Sequence, residues 1–170
     1  MIHQSPQPGD IGLTSIVGLV GWGIRVGQWL NGDGFGVYEH AFLVLDNGQL
    51  IEAQPGGAQI VGLDVYAGRH VEYVSPELTE AERLLICLRG REMVGVDYSF
   101  LDYAAIAAHH FRLPIPGLRR YIAATGHEIC SALCDEVYRR AGVHLFADSR
   151  WPGYVVPADL AALLGREAQR

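Results

Sequence analysis

Residues 40–54, "HAFLVLDNGQLIEAQ", constrain the fold more than any other part of the chain. Asp46-Asn47-Gly48 is a turn signal between two extended runs. The segment therefore reads as a β-hairpin, with one strand from about His40 and a return strand to about Ala53. The first strand is apolar at successive positions: Ala41, Phe42, Leu43, Val44 and Leu45. Neighbouring strand side chains point to opposite faces, so such a run needs a sheet covered on both sides.

The chain around this hairpin divides into extended pieces first and helices afterwards. "PQPGDIGL" reads as a turn and a short strand, and "AQIVGLDV" and "HVEYVS" as further extended segments. Between the first strand and the hairpin, residues 14–30 read as a helix capped by Thr14 or Ser15 and broken by "NGDGFG". Thr79 with Glu82 three residues on forms a capping box. It opens a helix whose apolar spacing assigns Leu84, Leu85 and Leu88 to the packed face, with Cys87 in the core. "SFLDYAAIAAHHF" reads as another helix, stopped by "RLPIPG" with its two prolines. "EICSALCDEVYRRAG" is a helix closed by Gly142, and "VVPADLAALLG" a short one with Pro157 in its first turn. A small antiparallel sheet followed by helices is the α+β class, and 170 residues without repeats or low-complexity tracts predict one domain.

Composition narrows the chemistry. All 13 cationic residues are arginine, which rules out a lysine Schiff base and a P-loop lysine. A formal charge of −6 gives no basic face for nucleic acid. Three cysteines are too few for a disulfide framework, and no charged-then-apolar leader opens the sequence, so reduced thiols and a cytoplasmic location are expected. A phage lysis or virion protein would carry the same signals. The apolar stretch "TSIVGLVGWGIRVGQWL" holds Arg25, Gln28 and four glycines, and reads as a groove-lining or surface helix rather than a stable membrane span. No cofactor is expected. A metal site from His127, Cys130 and Cys134, with His109 or His110, fits the usual ligand spacings poorly.

Cys130, Leu133, Cys134 and Val137 fall at i, i+3, i+4 and i+7, on one face of their helix. Cys130 lies in the first turn, where the positive end of the helix dipole favours a thiolate. Cys134 is a turn deeper and reads as packed and inert. A thiol nucleophile needs a base, and the base an orienting partner. Among the seven histidines, His127 could line the site but has no local partner. His40 begins a rigid strand, with Glu52 on the returning strand as the group to fix its tautomer. Loop length decides whether they meet. With a two-residue Asn47-Gly48 turn, His40 and Glu52 point to opposite faces; with a three-residue Asp46-Asn47-Gly48 loop, they are diagonal neighbours on one face. A catalytic pair requires the second register.

Taken together, "PGDIGL", "EHAFLVLDNGQLIEAQPGG", "GVDYSFLDY", "EICSALCDEVYRRAG" and "VVPADL" resemble, in this order and over nearly the whole chain, the circularly permuted branch of the NlpC/P60 superfamily. These are papain-like thiol hydrolases in which the histidine strand precedes the cysteine helix. The resemblance implies a permuted papain-like fold, a small antiparallel sheet or partial barrel against helices, with Cys130 as nucleophile, His40 as base and Glu52 as third member. Ser131 matches the residue that often follows the cysteine, while Ala132 replaces the acidic or polar residue common there. Helix 14–30 is outside the minimal papain-like core. The implied reaction is acyl transfer on a peptide or acyl substrate, with cell-wall peptides the leading class. The Cys130 backbone N–H contributes to an oxyanion hole, with Tyr98 and Ser131 as candidate substrate-binding or oxyanion residues. Two rival readings are a thioesterase or acyltransferase on lipid-like acyl groups, with Trp22 and Trp29 along an acyl chain, and a non-catalytic envelope or phage assembly module. Oligomeric state is not encoded in any of these features.

Overall fold

Pro8 and Gly9 turn the chain into the sheet, with Gly9 at φ +92°, where glycine alone is unstrained. The computed structural model describes residues 5–15, 38, 40–54, 57–95, 127–148, 155 and 157–167. Within them lie five strands, β1 (Ile11–Thr14), β2 (His40–Val44), β3 (Gln49–Gln54), β4 (Gly57–Gly62) and β5 (Val71–Val74). Three helices follow: α1 (Glu80–Glu92), α2 (His127–Arg140) and α3 (Pro157–Glu167). A 3-10 turn, Leu63–Tyr66, links β4 to β5. The strands form one open antiparallel sheet in the order β4-β3-β2-β1-β5, and the architecture is mixed α+β.

The hairpin behaves as its sequence requires. Leu43 pairs with Ile51 and Val44 with Leu50, the register of the three-residue loop. Asn47 and Gly48 both take positive φ, 57° and 66°, as residues of a tight loop between twisted strands do. All five residues of β2 are buried. Ala41, Leu43, Leu45 and Ile51 join Cys130, Leu133, Cys134 and Val137 in the larger core, so α2 covers that face. Phe42, Val44, Leu50 and Tyr66 form a smaller core on the opposite face, under the 3-10 turn.

Helix α1 starts with the expected box: the Glu82 N–H donates to the Thr79 hydroxyl (3.3 Å), and the Thr79 N–H to the Glu82 carboxylate (2.7 Å). Its packed face is not the leucine face. Leu84, Leu85 and Leu88 are 63%, 41% and 51% exposed, while Ile86, Cys87 and Gly90 are buried. Two arginines at the ends of the buried stripe set this rotation. Arg83 donates to the Pro8 carbonyl (2.6 Å) and Asp10 (3.1 Å), and Arg91 reaches Asp46 and Gln49 beside the hairpin loop. Gly90 completes the fit, because a Cβ there would stand 3.0 Å from Leu45 Cδ2.

Thr14 ends β1. It pairs with His40 and Val71, and its hydroxyl donates to the His70 carbonyl at 2.9 Å. Helix α2 ends as expected at Gly142 (φ +81°). The Val143 N–H reaches the Tyr138 carbonyl and the Gly142 N–H that of Arg139, the paired bonds of a Schellman cap. Helix α3 begins at Pro157, where no N–H is needed. The helices expected at 14–30, beyond Ser15, and at 99–111 lie outside the described residues.

Candidate active site

The three-residue loop places His40 and Glu52 on the same face of the hairpin. Glu52 Oε2 stands 2.9 Å from His40 Nε2, with both residues buried. A buried acceptor without a donor would cost about 1–3 kcal/mol, and here the acid is well supplied. The Tyr66 hydroxyl donates to the same Oε2 at 2.5 Å, and the Gln54 side chain adds another bond. The Tyr66 ring stacks on Phe42 (centroids 4.5 Å apart) and lies near-parallel to His40 at 6.2 Å. Arg69 caps the stack, its guanidinium 5.3 Å from the Tyr66 centroid.

Cys130 comes to this pair from α2. It is the fourth residue of the helix, at the close of the first turn, where the dipole's positive end still acts. Its sulfur is fully buried, accepts the Ala41 N–H at 3.4 Å, and is hydrogen-bonded to His40. With Nε2 held by Glu52, Nδ1 is the ring nitrogen left to face sulfur. Cysteine, imidazole and carboxylate thus form one connected chain drawn from α2, β2 and β3.

Each neighbour favours the charged forms. Burial alone would lower the His40 pKa, but the Cys130 charge and hydrogen bond, with those of Glu52, push it up to about 10. Burial alone would raise that of Glu52, but hydrogen bonds from His40, Tyr66 and Gln54 hold it at about 2. Burial, the Glu52 bond and the Glu52 charge drive the Tyr66 hydroxyl well above the usual tyrosine range. A protonated imidazole between a carboxylate and a sulfur is the arrangement that stabilises a thiolate, the nucleophilic form of cysteine.

The other residues singled out by sequence fall elsewhere. Ser131 is fully buried and its hydroxyl donates to the Val155 carbonyl at 2.5 Å, holding the chain ahead of α3. Tyr98 lies outside the described residues, as do Trp22, Trp29, His109 and His110. His127 is the first residue of α2. Cys134 and Cys87 are core residues, and burial pushes both thiols up. His70 is a surface residue 3.3 Å from Glu72. Among the described residues no cluster of three or more His, Cys, Asp or Glu side chains is placed to hold a metal ion, and no helix is long and apolar enough to cross a membrane.

Tyr66, Gln54 and Arg69 were not visible as site residues in the sequence. Gln54 could have been found, since it is two residues from Glu52 and so on the same strand face. Tyr66 could not, because it belongs to a 3-10 turn with no period of its own. Comparison with family models, with curated proteins and with solved structures returned no match from any of the three.

Proposed function

We propose that the chain is a cysteine hydrolase of papain-like type, related to the circularly permuted NlpC/P60 enzymes, that cleaves amide bonds with Cys130, His40 and Glu52. The observation that carries this reading is the simultaneous engagement of His40 by Glu52 Oε2 (2.9 Å) and by the Cys130 sulfur. The order of motifs supports it, with the histidine strand ahead of the cysteine helix.

In the proposed reaction the Cys130 thiolate adds to the substrate carbonyl, and His40 gives its proton to the departing amine as the C–N bond breaks. Water then attacks the thioester, losing a proton to His40, and the C–S bond breaks to release the acid and restore the thiolate. Glu52 stays ionised throughout, holding the ring in place and stabilising its cationic form. A donor aimed at the developing oxyanion, such as the Cys130 backbone N–H, contributes roughly 3 kcal/mol in sites of this kind. Since the sulfur is buried, catalysis also requires an opening that admits the acyl group.

Cell-wall peptides are the proposed substrate class. The test is turnover of peptidoglycan fragments and of a p-nitrophenyl acyl ester by the wild type and by Cys130→Ala and Cys134→Ala variants. Loss of peptide cleavage in Cys130→Ala alone is the expected result. Turnover of the ester but not the peptide would move the assignment to a thioesterase or acyltransferase. Cleavage by Cys130→Ala equal to that by Cys134→Ala would remove Cys130 as the nucleophile, and no turnover by the wild type would end the enzyme reading.

A further inference from the structure

We infer that Tyr66 is a positioning residue of this site, whose hydroxyl holds the Glu52 carboxylate charged and aimed at His40, and thereby sets the pH window over which the Cys130–His40 pair keeps its charges. Its consequence for catalysis rests on the proposed hydrolase reading; its electrostatic content does not.

The geometry separates Tyr66 from an ordinary core aromatic. One carboxylate oxygen, Glu52 Oε2, is within hydrogen-bond distance of two groups, the Tyr66 hydroxyl at 2.5 Å and His40 Nε2 at 2.9 Å. Tyr66 and His40 therefore share one acceptor, and whatever density the phenol draws from that oxygen is withheld from the imidazole. The ring is also fixed. It stacks on Phe42 at 4.5 Å with 17° between planes, and on His40 at 6.2 Å with 26°. Stacked on Phe42, under the Arg69 guanidinium and bonded through its hydroxyl to Glu52, the phenol is held in one orientation.

The surrounding charges fit this role. His40 faces the Cys130 sulfur from α2 and the Glu52 carboxylate from β3. Glu52 receives His40, Tyr66 and Gln54. Tyr66 feels the negative charges of Glu52 and Cys130, opposed by Arg69 across its face. Burial and the two anions keep the phenol protonated, so it donates at every pH at which the pair works.

A donor on a carboxylate makes it a weaker base. Removing that donor raises the proton affinity of Glu52 and leaves more negative charge facing the imidazole, so His40 also holds its proton more tightly. Both titrations then move to higher pH, whereas a purely structural loss would lower stability without moving either.

NMR titration of the Glu52 carboxyl and the His40 ring reads this without substrate. In Tyr66→Phe, which keeps the ring stack, the Glu52 transition should rise by about one unit and that of His40 by about half a unit. Tyr73→Phe is the control, because Tyr73 meets Phe42 edge-on at 6.3 Å and leaves Glu52 untouched. Fluorotyrosine at position 66, a stronger donor of nearly the same shape, should move both transitions down. It keeps the test decisive if Tyr66→Phe does not fold. Transitions unmoved by either change overturn the inference. A wild type that cleaves neither peptide nor ester, yet shows these shifts, defeats the hydrolase proposal and leaves the role of Tyr66 standing; a working hydrolase with unmoved titrations does the reverse.

Discussion

Glu52→Gln isolates charge from shape. The amide keeps a carbonyl oxygen to accept from His40 or Tyr66, but no anion remains to balance the imidazolium. Glu52 is lowered from an ordinary 4.5 to about 2 by its partners, a gap worth roughly 3 kcal/mol of folding stability at neutral pH. The sign follows from the direction of the shift. A depressed carboxylate contributes fully above its unfolded pKa, and the contribution is lost as pH falls through the folded value. Urea unfolding should therefore show the variant weaker by about 3 kcal/mol near neutrality, with the difference shrinking below about 1 kcal/mol as pH approaches about 2. The matching fall in Tm at neutral pH is about 6–12 °C for a chain of this size. Any pH-independent remainder reports the misplaced amide donor. His40, with its pKa raised from 6.5 to about 10, works in the opposite sense: its contribution is complete below about pH 6.5 and lost as pH rises through about 10. A deficit in Glu52→Gln that is the same at both ends of the acid range would show that the carboxylate is packed but not ionically engaged, and would remove the electrostatic basis of the site.

Two further outcomes test other links. Iodoacetamide should label Cys130 below about pH 8, while Cys87 and Cys134, whose thiols are pushed up by burial, stay unmodified; His40→Ala should slow Cys130 labelling by about tenfold or more. Mass spectrometry of the labelled peptides distinguishes the three. Ile86→Ala should cost about 2–4 kcal/mol in urea unfolding and Leu84→Ala under about 0.5 kcal/mol, since only the first leaves a cavity.

How far the sequence could be read follows from where its signals are local. The hairpin, the Thr79–Glu82 box, the Gly142 cap and the shared face of Cys130 and Cys134 each depend on residues within one turn or one loop, and each appears in the structure. His40 and Glu52 were legible because one loop length ties them together. The rotation of α1 was not. Its apolar run, Leu84-Leu85-Ile86-Cys87-Leu88, is continuous and accepts several helical phases. The actual phase is chosen by Arg83, Arg91 and the missing side chain of Gly90, which hydrophobicity does not register. The Thr14 bond to the His70 carbonyl was not legible either, since it depends on a partner 56 residues away. Tyr66 belongs to the same class of long-range contact.

The loop at Asp46-Asn47-Gly48 gives the site an unusual sensitivity to arithmetic. Side chains along a strand alternate, so an odd number of loop residues and an even number produce mirror assignments of every β3 side chain to the two faces. A slip of β3 by one residue against β2, as a two-residue Asn47-Gly48 turn would impose, leaves every chemical group in the chain and turns the acid away from its imidazole, exchanging it for Ile51 or Ala53. Arg91 ties Asp46 and Gln49, on either side of Asn47-Gly48, to one guanidinium nitrogen. A slip of register is thus of a different order from a substitution: no choice of side chain elsewhere on the strand can restore what it removes.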